Sequence, residues 1–195
     1  MKIIKSKLFK ILSILLLTGF IIGIVYFFIV KSSNKEVIEN NLIKYINSLK
    51  DNNSNSLISL FNSIKYNIKY LSIIWVVGII FILIFLIPII IVFKGILIGY
   101  SFINIIGVFH LKGILIAFFL LFPCVIINNF ILILMSYYSI NQANKTFNTI
   151  KENKSINLKN YFKNYTLIYL ILSICLIISS LIEIYLSSNI IKFIV

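Results

Sequence analysis

The sequence is poor in the residues that build catalytic and metal sites. Its 195 residues include no arginine, one histidine, two cysteines and five acidic residues. No cluster of these side chains has metal-ligand spacing, and two cysteines are too few for a disulfide scaffold. Apolar residues make up 61% of the chain and charged residues 12%, against about 45–50% and about 25% in soluble domains. We therefore expect an integral membrane protein without catalytic residues, bound metal or cofactor.

The basic residues are all lysines, and they give the chain a formal net charge of +13. They lie mainly beside the apolar segments, where anionic lipid headgroups attract them. No basic helix or aromatic stacking platform accompanies them, so nucleic-acid binding is not expected. The bilayer is the partner that this charge pattern predicts.

The apolar runs predict an all-α membrane helix bundle of about five transmembrane helices in one domain, residues 1–195. A helical crossing needs about 20 residues, and the third run is shorter than that. This short third span is either a tilted crossing or a re-entrant hairpin. The predicted spans are residues 11–30, 71–93, 95–109, 113–135 and 166–191.

Lysine distribution predicts the orientation of the spans. With five crossings and a cytoplasmic N-terminus, ten lysines lie inside and eight outside. A re-entrant third segment reverses this bias to seven inside and eleven outside. The counts favour a multi-pass protein of the cell membrane whose C-terminus is outside.

The two long loops have helical periodicity. In the outer loop, residues 31–70, apolar residues predict an amphipathic helix over 34–50 and a second stripe over 57–68. These helices either lie on the membrane surface or dock an extracytoplasmic partner. The inner loop, residues 141–164, carries five lysines and one acid, which suits contact with anionic lipids.

Polar residues inside the spans are the candidate functional residues. Glu183 is the only acid in a span, and we expect it to pair with Lys112 or His110 at the outer boundary. The alternatives are that its carboxylate reaches the lipid headgroups or that it belongs to a proton or ion pathway. The remaining candidates are amides, which form hydrogen bonds between helices or contact a ligand or partner. These amides are Asn104, Asn128 and Asn129.

Small residues and prolines predict where helices pack closely or break. Gly95 and Gly99 form a G-x-x-x-G pair, which permits close contact of helix backbones. With Gly107 and Gly113 they predict tight packing of the third and fourth spans, either within one chain or in a homodimer. Pro123 lies within the fourth predicted span and predicts a kink or a broken helix.

The middle of the chain resembles the stage II sporulation protein M family. The resemblance is carried by Asn67, by the pattern Lys94-Gly95-x-x-x-Gly99-Tyr100, and by Lys112-Gly113 followed by an apolar run ending at Pro123. A preceding span with Trp75 and Gly78 adds to it. Where family members often have a polar pair directly after the proline, this chain has Cys124-Val125.

The resemblance implies a non-enzymatic membrane scaffold. Members act at the sporulation septum and engulfing membrane of Gram-positive bacteria, where they recruit stage II sporulation proteins P and D, which remodel peptidoglycan. One alternative is a small-molecule transporter or channel subunit with a midplane site near Asn128. Another is an accessory or immunity-like membrane protein of unknown partner. A water-filled cavity reaching Asn128 is required by the transporter and not by the scaffold.

Overall fold

The structure, a computed structural model of the chain, describes residues 6–29, 55–118, 122–152 and 158–194. These residues form five α-helices and one short 3-10 helix, Phe81–Leu83, with no strand in the described ranges. The expected all-α class is therefore confirmed. The α-helices are α1 (Lys7–Ile29), α2 (Asn55–Ile79), α3 (Leu86–Ile116), α4 (Phe122–Lys151) and α5 (Leu158–Ile194).

The chain runs back and forth between two ends of the bundle. α1 is parallel to α3, since Gly19 faces Val92 and Gly23 faces Ile96. α5 is antiparallel to α2: Ser72 is hydrogen-bonded to Tyr169 near one end, and Ser63 lies against Glu183 near the other. α2 and α4 are parallel, since Asn67 and Asn128 line one cavity and Ile74 and Ser139 are in contact further along. The five consecutive helices therefore alternate in direction. The starts of α1 and α5 and the end of α4 therefore share one end of the bundle.

Among the described residues, three helices are long and apolar enough to cross a membrane: Lys7–Ile29, Leu86–Leu111 and Phe162–Glu183. Large apolar side chains lie exposed along these helices, including Ile21 on α1, Ile89 on α3 and Ile174 on α5. An outer surface this apolar is stable in lipid and unstable in water. The protein is therefore a membrane protein with an all-α bundle.

The boundary predicted at Lys94 between the second and third spans is not a helix boundary. The second predicted span, residues 71–93, is broken between Ile79 and Leu86, and the third continues the helix that starts at Leu86. Pro88 explains the break. It has no N–H to donate to the carbonyl of Ile84, which accepts a hydrogen bond from the Ile87 N–H instead. Proline is tolerated in the first turn of α3.

α3 changes direction sharply near its end. His110 has φ 51° and ψ −127°, a conformation that non-glycine residues rarely adopt. The segment after it folds back, so that Ala117 packs with Ile105 in a small buried cluster. The turn expected between the third and fourth spans is thus at His110, but Gly113 belongs to the folded-back end of α3 rather than to the next helix.

α4 and α5 occupy most of the predicted inner loop. α4 begins at Phe122, well after the predicted start at residue 113, and ends at Lys151. α5 begins at Leu158 and includes the whole predicted fifth span. Ala143 and Thr146 are buried although they follow the apolar run, so packing extends α4 beyond the segment that hydropathy marks. In the outer loop, the stripe over 57–68 lies on α2, whereas the helix predicted over 34–50 falls outside the described residues.

The apolar core lies in the half of the bundle that contains the starts of α1 and α5. All five helices contribute fully buried or nearly buried side chains to it, among them Leu12, Ile74, Ile91, Met135 and Leu176. The other half of the bundle is more polar, and it contains the candidate site.

Candidate functional site

A polar cavity of about 190 Å³ lies between α2, α3, α4 and α5. α2, α3 and α4 each supply more than one polar side chain to it, and α5 supplies one. The polar lining residues are Ser63, Tyr66 and Asn67 from α2, Lys94 and Ser101 from α3, Asn128 and Asn129 from α4, and Glu183 from α5.

Lys94 is the cation of this cavity. It lies inside α3 and is only 6% exposed, so it is not the loop residue that the orientation count assumed. Its Nζ donates a hydrogen bond to Asn67 Oδ1 over 3.2 Å. The same Nζ lies 4.2 Å and 4.6 Å from the ring centroids of Tyr66 and Tyr70, a cation–π arrangement that offsets part of the cost of burying a charge.

Glu183 is the acidic residue of this cavity, and its predicted pairing with His110 is wrong. The Ser63 hydroxyl donates to Glu183 Oε2 over 3.5 Å, and the carboxylate is attracted by the charge of Lys94. His110 does not take part, because α5 passes α2 and the middle of α3 rather than the turn at the end of α3. The side chain of Lys112 lies outside the described side chains, so its pairing stays a prediction.

The three intramembrane amides divide into two groups. Asn128 and Asn129 are 8% and 7% exposed, line the cavity, and have Oδ1 atoms without a hydrogen-bond partner among the described residues. Asn104 is not a cavity residue. Its Nδ2 donates to the Tyr100 carbonyl of its own helix over 2.8 Å, and its Oδ1 also has no partner among the described residues. The expected bond between helices is therefore not formed there.

The G-x-x-x-G pair of α3 is packed against α1. A Cβ on Gly95 would overlap the Leu16 carbonyl oxygen, and one on Gly99 would overlap the Phe20 carbonyl oxygen. In α1, Gly19 and Gly23 make the reciprocal approach to α3. The prediction that these α3 glycines pack against the fourth span is therefore wrong, and α1 occupies the face that a homodimer through them would need.

The other predicted packing residues differ in role. A Cβ on Gly107 would meet only the end of the Phe27 ring, at 3.3 Å, whereas one on Gly113 would meet the Ile105 carbonyl across the turn of α3. Pro123 lies in the first turn of α4. It therefore begins a helix and does not kink the middle of one, because a proline in the first turn breaks no intrahelical hydrogen bond.

A second polar cluster holds α2, α4 and α5 together in the core. The Tyr165 hydroxyl lies 2.7 Å from Ser139 Oγ and donates to the Trp75 carbonyl over 2.9 Å. Gly78 makes room for it, because a Cβ there would overlap the Tyr165 hydroxyl oxygen. The Trp75 ring also stacks on Tyr169 at 5.1 Å. The Tyr165 and Ser139 hydroxyls are thus paired, as is typical of a structural cluster, whereas Trp75 Nε1 is buried without a hydrogen-bond partner among the described residues.

Sequence reasoning missed Ser63, Tyr66 and Tyr70 as site residues. The signal was present, because with Asn67 they recur at the spacing of one helix face in a segment that was treated as an outer stripe. Gly19 and Gly23 were also missed, although their spacing matches that of Gly95 and Gly99.

The cavity can bind a small polar group, since it contains a buried cation, a carboxylate and two amide oxygens without partners. In the described ranges, no three side chains of the kinds that ligate metals lie together. The model of the stage II sporulation protein M family matches residues 10–188 of the chain. No curated protein and no solved structure matches it.

Proposed function

Because the chain belongs to the stage II sporulation protein M family, we propose that it is a non-enzymatic scaffold of the engulfment machinery in endospore formation. Family membership makes it a sporulation-related membrane protein. Beyond that, we propose that it recruits the peptidoglycan-remodelling stage II sporulation proteins P and D at the septal membrane. The observation that carries this proposal is a match covering nearly the whole chain, including α1 to α5.

The arrangement of the bundle supports the scaffold. The backbones of α1 and α3 pack closely, and hydrogen bonds of the Tyr165 hydroxyl hold α2, α4 and α5 together. Together these contacts favour a rigid anchor. We propose that all five passes cross the membrane and that the end with Lys7, Lys10 and Lys151 faces the cytoplasm. The opposite end, from which α2 enters the bundle, then presents the outer loop toward the cell wall.

Co-purification from a sporulating host tests this role. The full chain, tagged at its C-terminus, is extracted gently at the time of asymmetric septation. We expect the two partner proteins to be recovered, and to be lost when residues 35–54 are replaced by a polar linker. Residues from 55 onward are kept, because Ser63 and Asn67 belong to the bundle.

The matched control replaces Lys145 and Lys151 at the other end of the bundle with glutamine. If this control loses the partners and the outer-loop replacement keeps them, the docking surface is on the opposite side. If the wild-type chain recovers neither partner, the recruiting role is refuted.

A transporter or channel subunit is the second candidate. The observation that favours it is the polar cavity itself, since it reaches Asn128 and contains amide oxygens without partners. Intramembrane amides beside a buried lysine and a carboxylate are consistent with a midplane site. Against it, the sequence shows no internal repeat of the spans. Recovery of an ATPase subunit in the same co-purification would favour this candidate over the scaffold.

A further inference from the structure

The polar cavity contains hydrogen-bond acceptors that the protein itself does not satisfy. Asn128 Oδ1 and Asn129 Oδ1 have no partner among the described residues, although both side chains are more than nine-tenths buried. Glu183 adds a carboxylate with one serine donor. Buried acceptors of this kind are stable when a donor reaches them. An ammonium group fits best, because it supplies three N–H donors and a positive charge for the carboxylate.

Lys94, the cation of the same cavity, needs hydrogen-bond acceptors rather than donors. Lys94 Nζ has three N–H donors, and its hydrogen-bond acceptor in the described part of the chain is Asn67 Oδ1. The tyrosine rings below it stabilise its charge but accept no conventional hydrogen bond from it. A phosphate oxygen would complete its coordination by a charge-assisted hydrogen bond. The cavity is thus complementary to a small group that carries both charges.

An apolar cavity of about 440 Å³ adjoins the polar one. Ile98, Val125 and Asn129 line both cavities, so the two lie side by side at these residues. Leu17 and Ile126, which also line the apolar cavity, are about half exposed on the outer surface of the bundle. In a bilayer, this side of the cavity opens to the hydrocarbon region.

We propose that the two cavities together bind one zwitterionic phospholipid with a primary ammonium headgroup, of which phosphatidylethanolamine is the probe. Its phosphate lies at Lys94, its ammonium lies among Glu183, Asn128 and Asn129, and one acyl chain occupies the apolar cavity. A lipid without the ammonium leaves the carboxylate and the amide oxygens unsatisfied. This inference concerns the occupant of the cavity and does not depend on partner recruitment.

Native mass spectrometry of the full chain in detergent tests the proposal. The purified protein is titrated with phosphatidylethanolamine and, separately, with phosphatidylglycerol, which matches it in chain length and lacks the ammonium. We expect one phosphatidylethanolamine per chain to bind at least about tenfold more tightly than phosphatidylglycerol, which corresponds to about 1.4 kcal/mol. Equal affinities, or tighter binding of phosphatidylglycerol, would overturn the proposal.

Two variants locate the site. Glu183→Gln removes the charge that selects the ammonium, so it should weaken phosphatidylethanolamine binding and leave phosphatidylglycerol binding unchanged. Asn128→Leu removes a cavity acceptor, and we expect about tenfold weaker phosphatidylethanolamine binding, the effect of losing one charge-assisted hydrogen bond. Its matched control is Asn104→Leu, which removes a buried amide that does not line the cavity.

Thermal unfolding of each variant in the same detergent separates loss of the site from loss of the fold. Reduced lipid binding with an unchanged unfolding temperature supports the proposal. If Asn104→Leu weakens binding as much as Asn128→Leu, or if Glu183→Gln weakens both lipids equally, the headgroup does not lie in this cavity and the proposal fails.

Discussion

Gly99→Ala should separate α1 from α3, because these helices touch through their backbones at this position. A Cβ on Gly99 would overlap the carbonyl oxygen of Phe20 and crowd the rest of that peptide unit. A backbone group cannot rotate away as the end of a side chain can. Gly107→Ala is the matched control, since it adds the same atom to the same helix where the nearest contact is the end of the Phe27 ring, at 3.3 Å.

The magnitude follows from two opposing contributions. Alanine favours a helix over glycine by about 1 kcal/mol, which raises the stability of both variants. Overpacking costs about 1–3 kcal/mol, and it applies in full only at position 99, where two backbones must move apart. The propensity gain cancels in the comparison. We therefore expect the free energy of unfolding of Gly99→Ala to be about 1–3 kcal/mol below that of Gly107→Ala.

Thermal unfolding of the full chain in detergent measures this difference. For a chain of this size, each kcal/mol corresponds to about 2–4 °C in the unfolding temperature. If Gly99→Ala and Gly107→Ala unfold at the same temperature, the close approach of α1 and α3 is refuted. If Gly99→Ala instead abolishes a dimer at unchanged unfolding temperature, the glycines pair two chains and not two helices of one chain.

Two further substitutions test the turn of α3 and the buried tyrosine of the core. His110→Gly should stabilise the protein by about 1 kcal/mol or more, because a side chain in that backbone conformation is strained by about 1–3 kcal/mol. The control, Leu111→Gly, should lower stability by about 1 kcal/mol, and destabilisation by both would contradict the strain. Tyr165→Phe should cost about 1–3 kcal/mol in unfolding free energy, because its hydroxyl bonds α2 and α4. The Tyr137 hydroxyl makes no such bonds in the described ranges, so Tyr137→Phe should leave the unfolding free energy unchanged in chemical denaturation. If the two variants lose the same unfolding free energy, the role of the Tyr165 hydroxyl is refuted.

Hydropathy alone predicted the class of this protein, and it failed at the helix boundaries. The break before Leu86 and the extension of α4 to Lys151 lie where the apolar run and the helix do not coincide. Hydropathy reports where a segment is stable in lipid, whereas helix ends depend on backbone hydrogen bonds, on proline and on packing. Pro88 is the helix breaker there, and the run of apolar residues around it hid the position of the break.

The candidate site was predicted only in part. Asn128, Asn129 and Glu183 were singled out because polar residues in predicted spans need partners. Asn67 and Lys94 were singled out only as residues that carry the family resemblance. Their assembly into one cavity was not predicted. Lys94 was counted in a loop, and Glu183 was paired with the turn of α3. Both errors arose because position along the sequence places a polar residue at the nearest predicted span boundary and does not show which helices are in contact.

The sequence by itself determined that this chain is an all-α membrane protein of the stage II sporulation protein M family. Because so few of its residues are charged, the chain is stable in a lipid bilayer and not in water. The ordered motifs around Lys94, Gly99 and Lys112 carry the family resemblance. Only the tertiary structure decided that the lysine, the carboxylate and the two amides meet in one cavity. That decision depends on which helix faces touch, and those contacts arise from glycine pairs and buried hydrogen bonds between residues far apart in the chain.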